Sequence, residues 1–99
     1  MQNVAFIGCG NIARIHARHL QGFRGVRIVA CADVIEERAA SFASEFATPR
    51  CCTDFRKMLK DDAIDTVWVC TPTSAHRAPV VDAARAGKHV FVEKPMALK

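Results

Sequence analysis

At 99 residues, 51% hydrophobic and 24% charged, the chain can build one modest core and is too apolar to be disordered. Its formal charge of +4 comes from scattered basic residues with no aromatic-interleaved Lys/Arg cluster, so no nucleic-acid partner is expected. No apolar run reaches the length of a membrane span and the N-terminus lacks the regions of a signal peptide, so a cytoplasmic protein with no membrane partner is expected.

The elements alternate along the chain. Asn3 to Ile7 is a short apolar strand, followed at once by Gly8-Cys9-Gly10-Asn11-Ile12-Ala13 and a helix from about Asn11 to Leu20. Gln21 to Gly25 carries two glycines and reads as a turn, and Val26 to Ala32 is a second strand closed by Asp33. A second helix runs from about Ile35 to Phe46, with Ala39, Phe42, Ala43 and Phe46 on one face. Thr48-Pro49 breaks it, and Arg50 to Cys52 is a short edge strand. Thr53 or Asp54 caps a short helix through Leu59. Thr66 to Cys70 is the most strand-like run of all, with Trp68 expected in the core. After the Thr71-Pro72-Thr73-Ser74 loop a helix covers about His76 to Ala86, stopped by Gly87. His89 to Val92 is the last strand.

Strands alternating with helices imply a doubly wound parallel α/β sheet of Rossmann type in the order 3-2-1-4-5. The first thirty-three residues then carry a specific meaning. A G-x-G-x-x-G/A turn that leaves a strand, opens a helix and meets an acid about 20 residues on is the dinucleotide fingerprint in its proper context. Gly8 suits a tight turn, Gly10 lets a pyrophosphate approach the backbone, and Ala13 lets the helix pack on the sheet. The helix N-terminus offers N–H groups to the phosphates. Asp33 can accept from both hydroxyls of an adenine ribose and repels a 2′-phosphate, which favours NAD over NADP. Arg38 reads as a solvated helix residue that could also reach the adenine or a 2′-phosphate.

The five cysteines, at 9, 31, 51, 52 and 70, are odd in number and contain no CxxC pair. Adjacent Cys51 and Cys52 cannot comfortably bridge each other, so reduced structural thiols are expected rather than a disulfide framework or a metal site. Cys9 falls at a helix N-terminus, an environment that can lower a thiol pKa, and a redox role for it is the minor alternative.

Thr71-Pro72 with His76, and Ala86-Gly87-Lys88-His89-Val90-Phe91-Val92-Glu93-Lys94-Pro95, join the amino-terminal turn and His16 in a combination more specific than either part. Together they resemble the cofactor domain of the glucose-fructose oxidoreductase / inositol dehydrogenase (Gfo/Idh/MocA) family, from Val4 to Leu98. Thr73 departs from the asparagine that members often carry. The resemblance implies that Gly8, Gly10, Asn11 and Ile12 form the phosphate turn and that Asp33 holds the adenine ribose. It implies Thr71, Pro72, Thr73 and His76 along the cofactor, Glu93 and Lys94 by the nicotinamide ribose, and Lys94 facing the substrate as the catalytic group. It also suggests a cis Lys94–Pro95 bond.

On this reading residues 1–99 are an NAD(P)-binding domain that ends before a sixth strand, a fragment without the substrate domain. The parent enzyme would oxidise a CH–OH group of a sugar, cyclitol or related polyol-like substrate, and the fragment alone would be inactive. A non-catalytic nucleotide-binding module or a structural fragment is the alternative. Self-association through apolar surface left uncovered is also expected.

Overall fold

The computed structural model describes residues 2–71 and 77–92. Along them run β1 (Gln2–Ile7), α1 (Asn11–Gln21), β2 (Val26–Ala32), α2 (Glu36–Phe46), β3 (Arg50–Cys52), α3 (Phe55–Met58), β4 (Thr66–Val69), α4 (Arg77–Arg85) and β5 (His89–Val92). The strands form one sheet in the order β3-β2-β1-β4-β5, every neighbouring pair parallel, as the alternation of elements requires.

The sheet is covered on both faces, so its central strands are continuously apolar. In β1, Val4 and Phe6 point to the side of α1 and α2, while Ala5 and Ile7 point to the side of α3 and α4. An irregularity between Val4 and Ala5 leaves Val4 opposite Ile28 but Ala5 opposite Ala30. That extra residue puts Ile28 and Cys31, three apart, into the same core as Phe6.

Each helix buries the stripe its spacing dictates. Ala13 and Ala17 of α1 are fully buried and bring the helix close to the sheet. From α2, Phe42 packs on Phe6 with ring centroids 5.2 Å apart and on Phe46 at 4.6 Å. The opposite face is closed by Met58, Leu59 and Ile64 from α3 and its loop, and by Ala83 from α4. Trp68 is half-buried rather than central, stacked between Phe6 at 5.9 Å and Phe91 at 5.1 Å, with His16 against it at 4.7 Å.

The helix ends follow from capping. The Asp54 carboxylate accepts from the Arg56 amide at 3.0 Å and starts α3. Gly87, at φ +79°, stops α4 while the Lys88 amide turns back to Ala83. Lys88 itself is nearly buried, and its ammonium is satisfied by the Asp61 carbonyl at 2.7 Å. At α2 the sequence places the start at Ile35, whereas the structure begins the helix at Glu36 and holds Ile35 extended, because the Asp33 carboxylate accepts its amide at 2.8 Å. The stop of α2 is Ala47 in the left-handed region, φ 52°, ahead of Thr48-Pro49.

Two stability measurements check this packing. Phe42→Ala should lower the unfolding free energy by about 3–5 kcal/mol in a urea titration, a large part of the ~5–15 kcal/mol available to a domain. Ala47→Gly should raise it by about 0.5–1 kcal/mol, because the relief of a left-handed alanine exceeds the added entropy of the unfolded chain.

Candidate functional site

The carboxyl ends of β1, β2 and β4 open onto one cleft of about 1080 Å³. Gly8, Gly10, Asn11, Ile12, Asp33 and Thr71 all line it, so six positions expected to act together converge in space. Pro72, Thr73, His76, Glu93 and Lys94, with the Lys94–Pro95 bond, lie outside the described residues.

The turn from β1 into α1 is built by contacts from three strands. The Gly8 amide donates to Ala32 of β2 at 2.8 Å, and the Cys70 amide after β4 donates to Ile7 at 2.8 Å. Gly8 has φ +93°, and a Cβ on it would stand 2.8 Å from the carbonyl carbon and oxygen of Cys70. No side chain fits there. Gly10 is different: it has ordinary extended angles, and a Cβ on it would meet nothing within 4 Å. The fold therefore requires Gly8 but leaves Gly10 beside open cleft.

α1 begins on Gly10 without any side-chain cap and with no acid in its first turn. The residues that open it line the cleft, and its leading N–H groups and the positive end of its dipole have neither a side-chain cap nor an acid of the first turn. This is the electrostatic arrangement that holds a phosphate. A cradle without a Cβ beside such a helix start fits a pyrophosphate.

Asp33 does more than the spacing suggests. Its Oδ2 accepts the Cys9 amide of the glycine turn at 2.8 Å, and its Oδ1 accepts the Ile35 amide at 2.8 Å. Its own amide donates to Cys52 at the end of β3, 3.1 Å away. The carboxylate is only half-buried and lines the cleft, so each oxygen keeps lone pairs for a further donor.

Cys9 departs from its expected character. It is buried, and its thiol donates to the Ala32 carbonyl at 3.5 Å, pointing into the core. The Cys31 side chain beside it and burial push the Cys9 thiol well above the ordinary range, so the helix N-terminus does not activate it. The minor redox reading of Cys9 by that route is corrected.

Three arginines line the cleft: Arg38, which the sequence offers as a residue able to reach the adenine or a 2′-phosphate, and Arg56 and Arg77, which no sequence signal places there. Arg56 pairs with Asp82 at 3.0 Å across α3 and α4. Among the described lining residues three arginines stand against two aspartates, an excess that suits an anion. No group of metal-ligating side chains is present among the described residues, and no helix among them is long and apolar enough to cross a membrane.

Comparison with known proteins agrees with this geometry. Residues 2–99 match the model of the oxidoreductase family with an NAD-binding Rossmann fold. The myo-inositol 2-dehydrogenase of Thermotoga maritima is 34% identical over 96% of this chain, which covers 28% of that protein. A crystal structure of scyllo-inositol dehydrogenase from Lactobacillus casei, with bound NAD(H) and scyllo-inositol, superposes with a TM-score of 0.87 at 27% identity, covering 100% of this chain and 29% of that one. A 3-ketoreductase from Actinomadura kijaniata in complex with NADP gives 0.87 at 32% identity, over 96% and 30%. The chain thus spans under a third of the length of these relatives. With its sheet order, its glycine turn and this match over residues 2–99, the chain belongs to the Gfo/Idh/MocA oxidoreductase family, as its NAD-binding Rossmann domain.

Proposed function

We propose that the cleft holds NAD in preference to NADP and that the chain serves as the dinucleotide-binding domain of an enzyme oxidising a secondary alcohol on a cyclitol or sugar. The observation that carries the binding reading is the pairing of Gly10 with the uncapped start of α1. Position 10 is open where the fold makes no demand for openness, and the adjacent N–H groups have no side-chain cap.

In this reading Gly8, Gly10, Asn11 and Ile12 surround the pyrophosphate and Asp33 takes the adenine ribose. Thr71, Pro72 and Thr73 border the cofactor after β4 with His76 nearby, and Glu93 and Lys94 stand beside the nicotinamide ribose. NAD supplies the hydride acceptor when bound. Lys94, as an ammonium just past the last strand, orients the substrate hydroxyl and offsets charge on its oxygen as the hydride leaves. The proton acceptor and most substrate contacts would lie in sequence of the kind the relatives carry over their remaining length, so the 99 residues alone turn nothing over. The preference for NAD rests on charge: a 2′-phosphate beside the Asp33 carboxylate would meet repulsion, only partly offset by Arg38 in the cleft lining.

Calorimetric titration of the two glycine variants tests the binding reading. Gly10→Ala should leave the thermal midpoint within a degree or so and weaken NAD by roughly tenfold, about 1.4 kcal/mol. Gly8→Ala should cost about 2 kcal/mol or more of stability, lowering the midpoint by roughly 8 °C. Unchanged NAD affinity in Gly10→Ala would refute the cradle.

Asp33→Asn tests the ribose contact. It should weaken NAD more than NADP, narrowing the preference about tenfold, and should also cost about 1–3 kcal/mol of stability, since one main-chain amide loses its carboxylate partner. A preference for NAD that survives the substitution intact would rule Asp33 out as its source.

A further inference from the structure

Three of the five thiols form a row that runs from beneath the glycine turn to the edge of the sheet. Cys31 of β2 and Cys51 of β3 are register partners in a parallel pair, so their side chains leave the sheet on the same face. That face is the one covered by α2, since the Cys31 sulfur reaches the Ala39 carbonyl at 3.5 Å. The Cys31 side chain has Cys9 and Cys51 as electrostatic neighbours, while its sulfur also lies 3.7 Å from the Thr48 hydroxyl. Cys9 and Cys31 are buried, whereas Cys51 is exposed on the edge strand.

The spacing suits a covalent bond. Neighbouring strands lie about 4.7–4.9 Å apart, inside the ~4.4–6.8 Å window of Cα separations that a disulfide spans. Cys52 is excluded by the pleat: one residue on, it leans toward the α3 side, where its sulfur contacts the Asp54 carbonyl at 3.3 Å.

We propose that Cys31 and Cys51 are a reversible thiol–disulfide pair, closed by a low-molecular-weight disulfide that enters at Cys51 and is displaced by Cys31. In the first step the Cys51 sulfur attacks one sulfur of the reagent, forming a mixed disulfide and releasing one reagent thiol. In the second the Cys31 sulfur attacks the Cys51 sulfur, forming the intramolecular bond and releasing the second reagent thiol. The two protein thiols give up two protons and two electrons, which end on the two reagent thiols. Exposure, not acidity, selects Cys51 for the first step, because partial desolvation and the neighbouring Cys31 raise its thiol. Cys31 suits the second, since the Cys9 side chain beside it, helped by Thr48, outweighs burial and holds its thiol below the ordinary range. The bond would clamp β2 to β3 just before Asp33, whose amide already donates to Cys52 and whose carboxylate holds the turn.

The test uses the whole folded chain treated with oxidised glutathione, followed by alkylation of remaining thiols, non-reducing tryptic digestion and mass spectrometry. The expected product joins the peptide holding Cys31 to the one holding Cys51, two hydrogen atoms lighter than their sum and reversed by dithiothreitol. Cys51→Ser should lose this product, and Cys52→Ser should keep it. One tryptic peptide carries both Cys51 and Cys52, so fragment ions that separate the two assign the bridge in the wild-type chain even if a variant folds poorly. A glutathione adduct on Cys51 that never resolves to Cys31, or a bridge made through Cys52 in the folded chain, would overturn the proposal.

Discussion

The structure depends on one point of convergence, the turn at Gly8, where three parallel strands are tied before the chain enters α1. Gly8 donates to the end of β2, its Cα sits against the carbonyl that follows β4, and the Cys9 amide beside it is held by the Asp33 carboxylate. Parallel strands must be brought together by long crossovers, so few local contacts set where their ends align. Here that alignment comes from main-chain hydrogen bonds and one carboxylate. The cleft is a consequence, because beyond this point β1 leads into α1 on one face of the sheet while α4, after β4, lies on the other.

On the proposed reading, Asp33 is where fold and recognition meet. A residue that only read the ribose could be exchanged freely when a family changes cofactor. This one also takes two main-chain amides, one in the glycine turn and one ahead of α2. Its removal leaves those donors short of a partner, so a change of cofactor preference at this position is tied to a loss of rigidity in the turn. Gly8 and Gly10 divide the same two roles between them: a side chain at the first collides with backbone, while at the second it enters open space.

What the sequence revealed is what local physics determines. The 3.6-residue spacing of Ala39, Phe42 and Phe46, the β-branched run at Thr66–Val69 and the stop at Gly87 each report their element directly, and the alternation of elements reports the sheet order. The convergence of Gly8, Gly10, Asn11, Ile12, Asp33 and Thr71 on one cleft follows from that order. Contacts that depend on register or on helix-to-helix distance were not legible. Arg56 meets Asp82 across two helices separated by 26 positions in sequence, and nothing local to either residue announces the other. Trp68 reads as core because β4 is β-branched or aromatic along its whole length, and nothing local tells that this side chain is only partly covered, between Phe6, Phe91 and His16.

Cys9 shows the same limit from the other direction. Its place at a helix N-terminus argued for a lowered pKa, since the dipole stabilises a nearby thiolate. That argument holds only if the thiol points along the helix axis toward solvent. The Asp33 carboxylate grips the Cys9 amide instead, and the side chain turns inward to the Ala32 carbonyl and the Cys31 thiol. The neighbouring Cys31 side chain and desolvation then oppose ionisation, and the Asp33 carboxylate adds to them. The direction of a side chain, set by one hydrogen bond on its own backbone, decides the chemistry of a position more than its address in the fold.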